Sequence, residues 1–349
     1  MHINKKKLTS INNKNIINIS LTNDNNFGLS FFNFGGYIDR IEIPYKNEPN
    51  KKEDVVLGYK NFDDYVNENS YFNCIIGRVS NRISNSSFFL NNEKHELFNN
   101  NNSNHIHGGR EGFNKKVWDI VNIEKSSNEI ICKLAYLSPD KEEGYPGNLN
   151  CEVDYILNNN NEIIIKFWAK TDLDTIVNLT NHNYWNFHGH GIHYNNIIGH
   201  KVQILSDQFL EIDDESIPTG NIIKTTNTKT DFKKFKTLQQ NMLTEGGFDL
   251  CYIVEDNNMN KKVASVYSEI TKMGVEIFTD QPSLQFYTGG NMNKIYNGKF
   301  NRNYGINYGI CIEPQQYVNA INQEKFKNPI LIKGKEYKSN ITMKLKNDF

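Results

Sequence analysis

Histidine is scarce in this chain, and most of it lies in two short stretches. The sequence has 9 histidines among 349 residues. One stretch is His105-Ile106-His107-Gly108-Gly109, and the other runs from His182 to His193. Imidazole titrates near neutral pH, so a histidine can donate a proton and take it back. Histidines two residues apart, such as His105 and His107 or His188 and His190, would also share one face of a strand, a spacing that metal sites use.

A histidine acting as an acid needs a partner acting as a base, and Glu313 is a candidate. It follows the apolar stretch Gly309–Ile312, at the end of a predicted strand. A carboxylate in that place is also typical of an ordinary solvated strand end, and the histidines are equally compatible with hydrogen-bonding roles in loops. No Cys pair or carboxylate lies at ligand spacing beside either histidine pair, which disfavours a metal site. Spacing alone does not choose among these readings.

The common cofactor and nucleophile motifs are missing from the sequence. It contains no G-x-x-x-x-G-K-[ST], G-x-G-x-x-G, G-x-S-x-G or H-E-x-x-H, which are the usual signatures of nucleotide binding, serine hydrolases and zinc proteases. Nucleotide binding and serine-hydrolase chemistry are therefore disfavoured.

Strand patterns dominate the elements that must position these residues. The hairpin pattern Val263–Ile270 and Val275–Thr279 predicts Gly274 in its turn. Helix candidates are limited to Val55–Asn67 and Lys233–Met242. We predict an all-β fold, one large antiparallel β-sandwich that forms a single domain over residues 1–349. The other segments rich in Ile, Val, Phe and Tyr are Ile16–Leu21, Phe27–Phe34, Ile38–Ile43, Ile130–Tyr136, Cys151–Leu157, Glu162–Ala169 and Val202–Leu205.

Composition excludes several classes of partner. The formal net charge is −1, so the chain lacks the excess of basic residues that is typical of a nucleic-acid binder. No stretch approaches the roughly 18 apolar residues of a membrane span. The N-terminus has no apolar signal region. Five scattered cysteines fit reduced thiols, so we expect a cytoplasmic location. Runs of asparagine such as 99–102 and 158–161 are interpreted as loop padding.

Several segments, in order along the chain, resemble motifs of the aldose 1-epimerase (galactose mutarotase) family. The resemblance runs from about Asn18 to the C-terminus, and eight motifs in the family's order make it specific. They are Gly77–Ile83 (GRVSNRI), His107–Phe113 (HGGREGF), Ser138–Gly147 (SPDKEEGYPG), Asn178–Asn186 (NLTNHNYWN), Ile217–Gly220 (IPTG), Gly247–Asp249 (GFD), Pro282–Thr288 (PSLQFYT) and Glu313–Gln315 (EPQ).

The resemblance implies a fold, a reaction and roles for named residues. The fold would be a galactose mutarotase-like supersandwich, and the reaction would interconvert the α and β anomers of free hexoses such as galactose and glucose. Glu313 would be the general base, His182 the general acid, and His107 would stabilise charge near the reacting oxygens. Four further positions match residues that hold sugar hydroxyls: Asn81, Arg82, Asp249 and Gln285. No metal or cofactor is required, and the partner would be a small monosaccharide.

This chemistry makes demands on protonation and on the pocket wall. At neutral pH His182 must be protonated while Glu313 is ionised, and a nearby carboxylate such as Asp249 could raise the imidazole pKa. Three aromatic residues are candidates for stacking on a sugar, although residues of this type more often pack in the core: Trp185, Phe286 and Tyr287.

Some positions depart from the family pattern, and other functions stay open. Leu250 follows Asp249 where the family usually has His, and Trp185 replaces the common Phe. A hexose-6-phosphate 1-epimerase would need cations at the phosphate, for which the candidates are Arg78, Arg82 and Arg110. A non-catalytic sugar-binding protein would need no acid–base pair. We expect a monomer or weak homodimer without nucleic-acid or membrane partners, and the sequence assigns no role to His188, His190 and His193.

Overall fold

Antiparallel strands are the main type of secondary structure, as predicted. The computed structural model describes residues 1–67, 70–239, 246–254 and 260–349. A first sheet of five strands follows chain order. Its strands, numbered like all others along the chain, are β1 (His2–Ile11), β2 (Lys14–Thr22), β3 (Gly28–Phe32), β4 (Ile38–Tyr45) and β5 (Glu48–Asp54).

The second and largest sheet has nine strands in the order β11-β12-β13-β14-β27-β23-β22-β17-β20. The last long strand of the chain, β27, therefore lies inside the sheet, between β14 and β23. The nine strands are β11 (Asp119–Lys125), β12 (Glu129–Ser138), β13 (Leu149–Asn158), β14 (Glu162–Thr171), β17 (His200–Ile204), β20 (Lys236–Thr237), β22 (Lys261–Ser268), β23 (Gly274–Thr279) and β27 (Glu336–Lys346).

A third sheet of five strands and four short ladders complete the described structure. The third sheet has the order β19-β18-β21-β24-β25, and the ladders pair β6 with β16, β7 with β10, β8 with β9 and β15 with β26. The sheet strands are β18 (Gln208–Ile212), β19 (Pro218–Lys224), β21 (Asp249–Ile253), β24 (Ser283–Tyr287) and β25 (Cys311–Gln315). The ladder strands are β6 (Ile75–Ile76), β7 (Arg82–Ile83), β8 (Ser87–Leu90), β9 (Glu93–Glu96), β10 (His105–Ile106), β15 (Thr175–Ile176), β16 (Thr180–Asn181) and β26 (Ile330–Leu331).

The main core combines buried residues of all three large sheets. Alternate residues of the long strands are buried, because successive side chains of a strand point to opposite faces. The ring of Phe31 in β3 stacks on Tyr155 in β13 with centroids 4.3 Å apart, and the Tyr155 hydroxyl donates to the carbonyl of Gly36 at 2.6 Å. Trp185 and Phe286 are fully buried in this core, which makes them packing residues.

The first helix prediction is wrong for most of its length. The helix α1 covers only Phe62–Asn67. Val55 and Leu57 are extended and buried, and their N–H groups donate to the carbonyls of Ile41 and Tyr184. β-Branched residues fit such an extended, packed backbone better than a helix, and tertiary burial decides the outcome here.

The second helix prediction, Lys233–Met242, is also wrong where the structure describes it. Lys236–Thr237 forms the short strand β20, which pairs with β17 at an edge of the nine-stranded sheet. Residues 240–242 lie outside the described residues. The described part of the chain contains no helix long and apolar enough to cross a membrane.

The hairpin prediction is confirmed, with a different role for its glycine. Strands β22 and β23 pair antiparallel, but the left-handed residue of the turn is Lys272, with φ of 60°. Gly274 instead opens β23 opposite Tyr267. A Cβ on Gly274 would lie 2.5 Å from the Cβ of Tyr267 and from the carbonyl oxygen of Val266, so close approach rather than turn geometry favours glycine.

Pairs of asparagines form two of the tight turns. Asn12 and Asn13 connect β1 to β2 with φ of 49° and 61°, and Asn91 and Asn92 connect β8 to β9 with φ of 51° and 63°. Two-residue hairpin turns favour positive φ at both positions, and asparagine tolerates this conformation better than most residues. Part of the asparagine excess therefore has a structural use.

Candidate active site

Neighbouring strands of the third sheet carry three of the predicted site residues. Glu313 in β25 lies directly opposite Gln285 in β24, and Asp249 begins the adjacent strand β21. The Gln285 amide Nε2 donates to Asp249 Oδ1 at 2.5 Å. Regular antiparallel pairing therefore fixes the spacing between the Glu313 carboxylate, the Gln285 amide and the Asp249 carboxylate.

His182 reaches the same place from a separate ladder. It follows β16, and its N–H donates to the carbonyl of Cys74 at 3.1 Å. Its Nε2 lies 3.5 Å from Glu313 Oε2. The ring of Tyr184 stacks on the imidazole with centroids 4.9 Å apart and a 12° interplanar angle, and Tyr71 lies 6.3 Å away at 17°. These contacts hold the imidazole plane against the carboxylate.

His107, Asn81 and Arg82 come from the ladder of β7 and β10. His107 donates its N–H to the carbonyl of Asn81 at 3.1 Å, and the Asn81 N–H donates to His107 Nδ1 at 3.2 Å. Because Nδ1 accepts, the neutral ring carries its hydrogen on Nε2. Arg82 donates from Nε to Asn101 Oδ1 at 3.1 Å, and its Nη1 lies 4.0 Å from Asp249 Oδ2.

One cavity of about 480 Å³ brings all seven predicted site residues together. Sequence reasoning missed several other parts of its wall. The asparagine run interpreted as loop padding contributes Asn99, Asn100 and Asn101, which corrects that interpretation. Of the three stacking candidates, Tyr287 lines the cavity. The remaining wall residues are Tyr71, Phe98, Ile106, Arg110, Tyr184 and Asn291.

Arg78 is excluded from the cavity and from binding a phosphate. Its Nε donates to Ser138 Oγ at 2.8 Å, its Nη2 to the carbonyls of Ser138 and Pro139, and its Nη1 to the carbonyl of Pro146. The side chain is buried. The guanidinium therefore holds the 138–147 segment in place. Arg78 is not available as the phosphate ligand that the sequence suggested.

His105 and His188 form hydrogen bonds within the protein, and the spacing argument for a metal site does not apply to them. Strand β10 ends at Ile106 and His107 has φ of 53°, so His105 and His107 do not share a strand face. The ring nitrogens of His105 lie 2.7 Å from the Phe98 carbonyl and from the Tyr145 hydroxyl. His188 Nδ1 bonds the Asn196 carbonyl.

His190 belongs to a buried network below the loop that follows β24. Its Nδ1 lies 3.0 Å from the Asp54 carbonyl and its Nε2 lies 2.8 Å from the Tyr304 hydroxyl. Asp54 also forms a buried ion pair with Lys299, at 2.8 Å. The predicted strand-face pairing of His188 and His190 is therefore wrong, and both histidines pack loops together.

Burial sets the protonation of the central pair. The Glu313 and His182 side chains are only 2% and 6% exposed. Burial raises the pKa of Glu313 well above its usual value, and the charge of Asp249 adds to this rise while Arg82 opposes it. Burial also lowers the pKa of His182 to about 4. Both effects disfavour the charged forms, so burial favours a neutral carboxyl beside a neutral imidazole.

This result corrects the expected role of Asp249. We expected its charge to raise the pKa of His182. That pKa is instead lowered by burial, and a backbone hydrogen bond partly opposes this effect. Asp249 acts on Glu313 instead. Burial lowers the pKa of His107 well below its usual value, with smaller contributions from His182, Arg82 and His105, which favours its neutral form.

A cavity with a buried carboxyl–imidazole pair and a wall of hydrogen-bonding side chains is suited to proton transfer on a polar small molecule. The family model for aldose 1-epimerase matches residues 18–344. The chain belongs to the aldose 1-epimerase family. Members of this family are isomerases, and both the predicted family and the predicted enzyme class are confirmed.

Relatives of this aldose 1-epimerase extend along most of its length. The galactose mutarotase of Sus scrofa is 35% identical over 311 residues, which are 88% of each chain. The aldose 1-epimerase of Escherichia coli K12 is 30% identical over 333 residues, which are 91% of this chain and 92% of the relative.

Solved structures confirm the predicted mutarotase-like β fold. A GalM/aldose epimerase homologue from C. elegans has a TM-score of 0.86 at 26% identity and covers 95% of this chain and 99% of its own. A galactose 1-epimerase from Lactobacillus acidophilus has a TM-score of 0.85, also at 26% identity, and covers 100% and 99%.

Proposed function

We propose that this aldose 1-epimerase interconverts the α and β anomers of free hexoses such as galactose and glucose. The observation that carries the proposal is the buried pair of His182 and Glu313, whose Nε2 and Oε2 atoms lie 3.5 Å apart on the cavity wall. The relatives named galactose mutarotase support galactose as a substrate. An acid and a base on one wall can act on two oxygens of one sugar.

The reaction removes one proton from the sugar and delivers another proton to it. The Glu313 carboxylate takes the proton of the C1 hydroxyl, and protonated His182 delivers a proton to the ring oxygen. The bond between C1 and the ring oxygen breaks, which leaves an open chain with a C1 aldehyde. Rotation about the C1–C2 bond presents the other carbonyl face, and reversal of both transfers closes the ring. No electron is transferred.

The neutral resting pair needs one adjustment before this reaction. Glu313 and imidazole together hold one proton in either arrangement, so moving it from the carboxyl to His182 prepares both roles without any exchange with solvent. Glu313 Oε2 has no hydrogen-bond partner among the described residues. A sugar hydroxyl that donates to this oxygen would favour the carboxylate, so we propose that substrate binding itself drives the internal transfer.

The remaining wall residues would hold the sugar. Asn81, Arg82, Asp249 and Gln285 offer donors and acceptors of the kind that sugar hydroxyls require. His107 would donate its Nε2 hydrogen towards the reacting oxygens and stabilise charge that develops there. Gln285 Oε1 has no partner among the described residues, so a sugar hydroxyl can donate to it.

A hexose-6-phosphate 1-epimerase is the second candidate, and Arg110 favours it. Arg110 is exposed on the cavity wall, and its guanidinium lies 4.7 Å from the Phe98 ring centroid. Arg82 already contacts Asn101 and approaches Asp249. A phosphate would therefore depend mainly on Arg110, which makes Arg110→Gln the variant that separates the two substrates.

Polarimetry tests the proposal directly. Freshly dissolved α-D-galactose and α-D-glucose should relax to their usual end points faster with the protein than without it. The same assay with α-glucose 6-phosphate measures the second candidate. A folded protein that accelerates none of the three would refute both enzymatic proposals and favour a non-catalytic sugar binder.

We also propose a cellular location and an assembly state. All five cysteines are free and buried, which supports the proposal of a reducing, cytoplasmic location. We also propose a monomer or a weak homodimer, which sedimentation at several protein concentrations would test.

A further inference from the structure

The thiol of Cys311 lies beside the proposed acid–base pair and has no part in ring opening. Cys311 and Glu313 are two residues apart on β25 and so lie on one face of the strand. One ligand atom each from Cys311, Glu313 and His182 lie within 4.8 Å of one another, and all three residues are buried. Thiolate, carboxylate and imidazole are three ligand types that zinc takes in proteins.

Unpartnered polar atoms at the same place also indicate that a bound species reaches it. Glu313 Oε2 and His182 Nδ1 are buried and have no hydrogen-bond partner within the ranges that the structure describes. Both residues are more than nine-tenths buried. Buried polar atoms are nearly always satisfied in folded proteins, so a bound species is expected to reach this pair.

We propose that Cys311, His182 and Glu313 form an inhibitory site for a thiophilic divalent cation, with Zn²⁺ as the type ion. Tetrahedral bonds of zinc to sulfur, nitrogen and oxygen place those ligand atoms about 3.4–3.6 Å apart. Closing the cluster from 4.8 Å requires side-chain movements of about 1 Å. The thiol proton leaves to solvent as the Zn–S bond forms, and the fourth position stays open to water.

Inhibition follows from which atoms the cation would occupy. It would take the carboxylate oxygen and the imidazole that the ring-opening reaction needs, so metal and sugar would compete for the same pair. This consequence rests on the proposed function, whereas cation binding itself does not. Both Glu313 and His182 line the cavity, which gives the ion a path from solvent.

Calorimetric titration with ZnCl₂ and CdCl₂ tests the site on the full chain. The informative variant is Cys311→Ser, which removes the sulfur and leaves His182 and Glu313 in place. The matched control is Cys132→Ser, a buried cysteine in β12 outside the cavity. We expect Cys311→Ser to weaken cation affinity by about 100-fold, since even loss of an outer partner costs about 10- to 100-fold, while Cys132→Ser binds as the unmodified protein does.

Two further readouts keep the test decisive. Cd²⁺ should give the ultraviolet charge-transfer absorption of a Cd–thiolate bond in the unmodified protein, and galactose should reduce it. Cys311→Ser should retain mutarotation and lose its inhibition by Zn²⁺. Equal affinity in Cys311→Ser, or no charge-transfer band, would overturn the metal site. Cysteine-dependent binding without any mutarotation would instead overturn the proposed function and leave the metal site intact.

Discussion

At the scale of single residues, the central feature is a carboxyl and an imidazole that are both buried in conditions that favour their neutral forms. Each would be charged in water at neutral pH or close to it, and burial moves their pKa values in opposite directions. A neutral pair holds one proton, and only the position of that proton has to change for catalysis. Motif resemblance identified both residues, but their protonation depends on burial, which no short sequence pattern encodes.

Replacing either member of the pair should abolish most of the activity. We expect Glu313→Gln and His182→Ala each to lower kcat by about 10²–10⁴-fold, because each removes one proton-transfer group. Polarimetric progress curves with α-D-galactose measure the effect. His193→Ala is the matched control, since His193 lies in a loop outside the cavity. Near-full activity of Glu313→Gln, from a sample with an unchanged melting temperature, would refute the assignment of the base.

The pH profile of kcat/KM should report the same pair. Gain of a second proton, on His182, would inactivate the site at low pH, and burial places that pKa at about 4. Loss of the shared proton would inactivate it at high pH, and the raised pKa of Glu313 moves this alkaline limb upwards. We therefore expect a broad plateau whose acid limb lies well below the pKa of free imidazole.

Asp249→Asn makes the alkaline limb a specific test. The charge of Asp249 raises the pKa of Glu313, so its removal should lower that pKa and shift the alkaline limb of kcat/KM to lower pH. The acid limb should stay in place, because Asp249 is not among the groups that shift the pKa of His182. An unchanged profile would contradict the proposed coupling, whatever the variant does to KM.

At the scale of elements, strands were predictable and short loops were not. Alternating apolar residues identify β12, β13, β14 and the hairpin of β22 and β23, since one face of each packs in the core. The same rules predicted a helix over Val55–Asn67, but only Phe62–Asn67 is helical. Contacts with distant segments hold Val55 and Leu57 in an extended backbone instead. Tyr71 flanks the proposed acid without any sequence signal beyond its aromatic type, whereas Tyr184 lies in the Asn178–Asn186 motif.

The asparagine loop on the cavity wall should affect sugar binding more than turnover. Asn101 accepts from Arg82 Nε, and Asn101→Ala would free that guanidinium from its position. Loss of one hydrogen bond to a charged group costs about 1.5–3 kcal/mol, so we expect KM for galactose to rise by roughly 10-fold or more with little change in kcat. Asn160→Ala, in the other asparagine run and exposed, is the control and should leave both constants unchanged.

The buried guanidinium of Arg78 should contribute to stability. It connects the segment 77–83 to the segment 138–147 through four hydrogen bonds. Arg78→Met would leave buried carbonyls without a donor, at about 1–3 kcal/mol each, so we expect the free energy of unfolding to fall by about 3 kcal/mol or more in urea denaturation. Arg110→Met, at an exposed arginine, should change it by no more than about 0.5 kcal/mol.

At the scale of the whole molecule, the core favours one cooperative unit. Its largest apolar cluster combines residues of all three large sheets, such as Ile41, Val153 and Leu284. We propose that residues 1–349 form a single domain and expect one calorimetric transition, with equal van't Hoff and calorimetric enthalpies. Two separable transitions would refute the single-domain proposal. The sequence predicted this architecture through its family motifs, whereas the strand order depends on contacts between distant segments.

The position of β27 inside the nine-stranded sheet has a consequence for biosynthesis. A ribosome releases residues 336–346 after the other eight strands have been made, so until then β14 and β23 both present open edges. Unpaired edges invite pairing with other chains. The nascent protein should therefore remain dependent on protection from aggregation until β27 has been made and has paired with both strands.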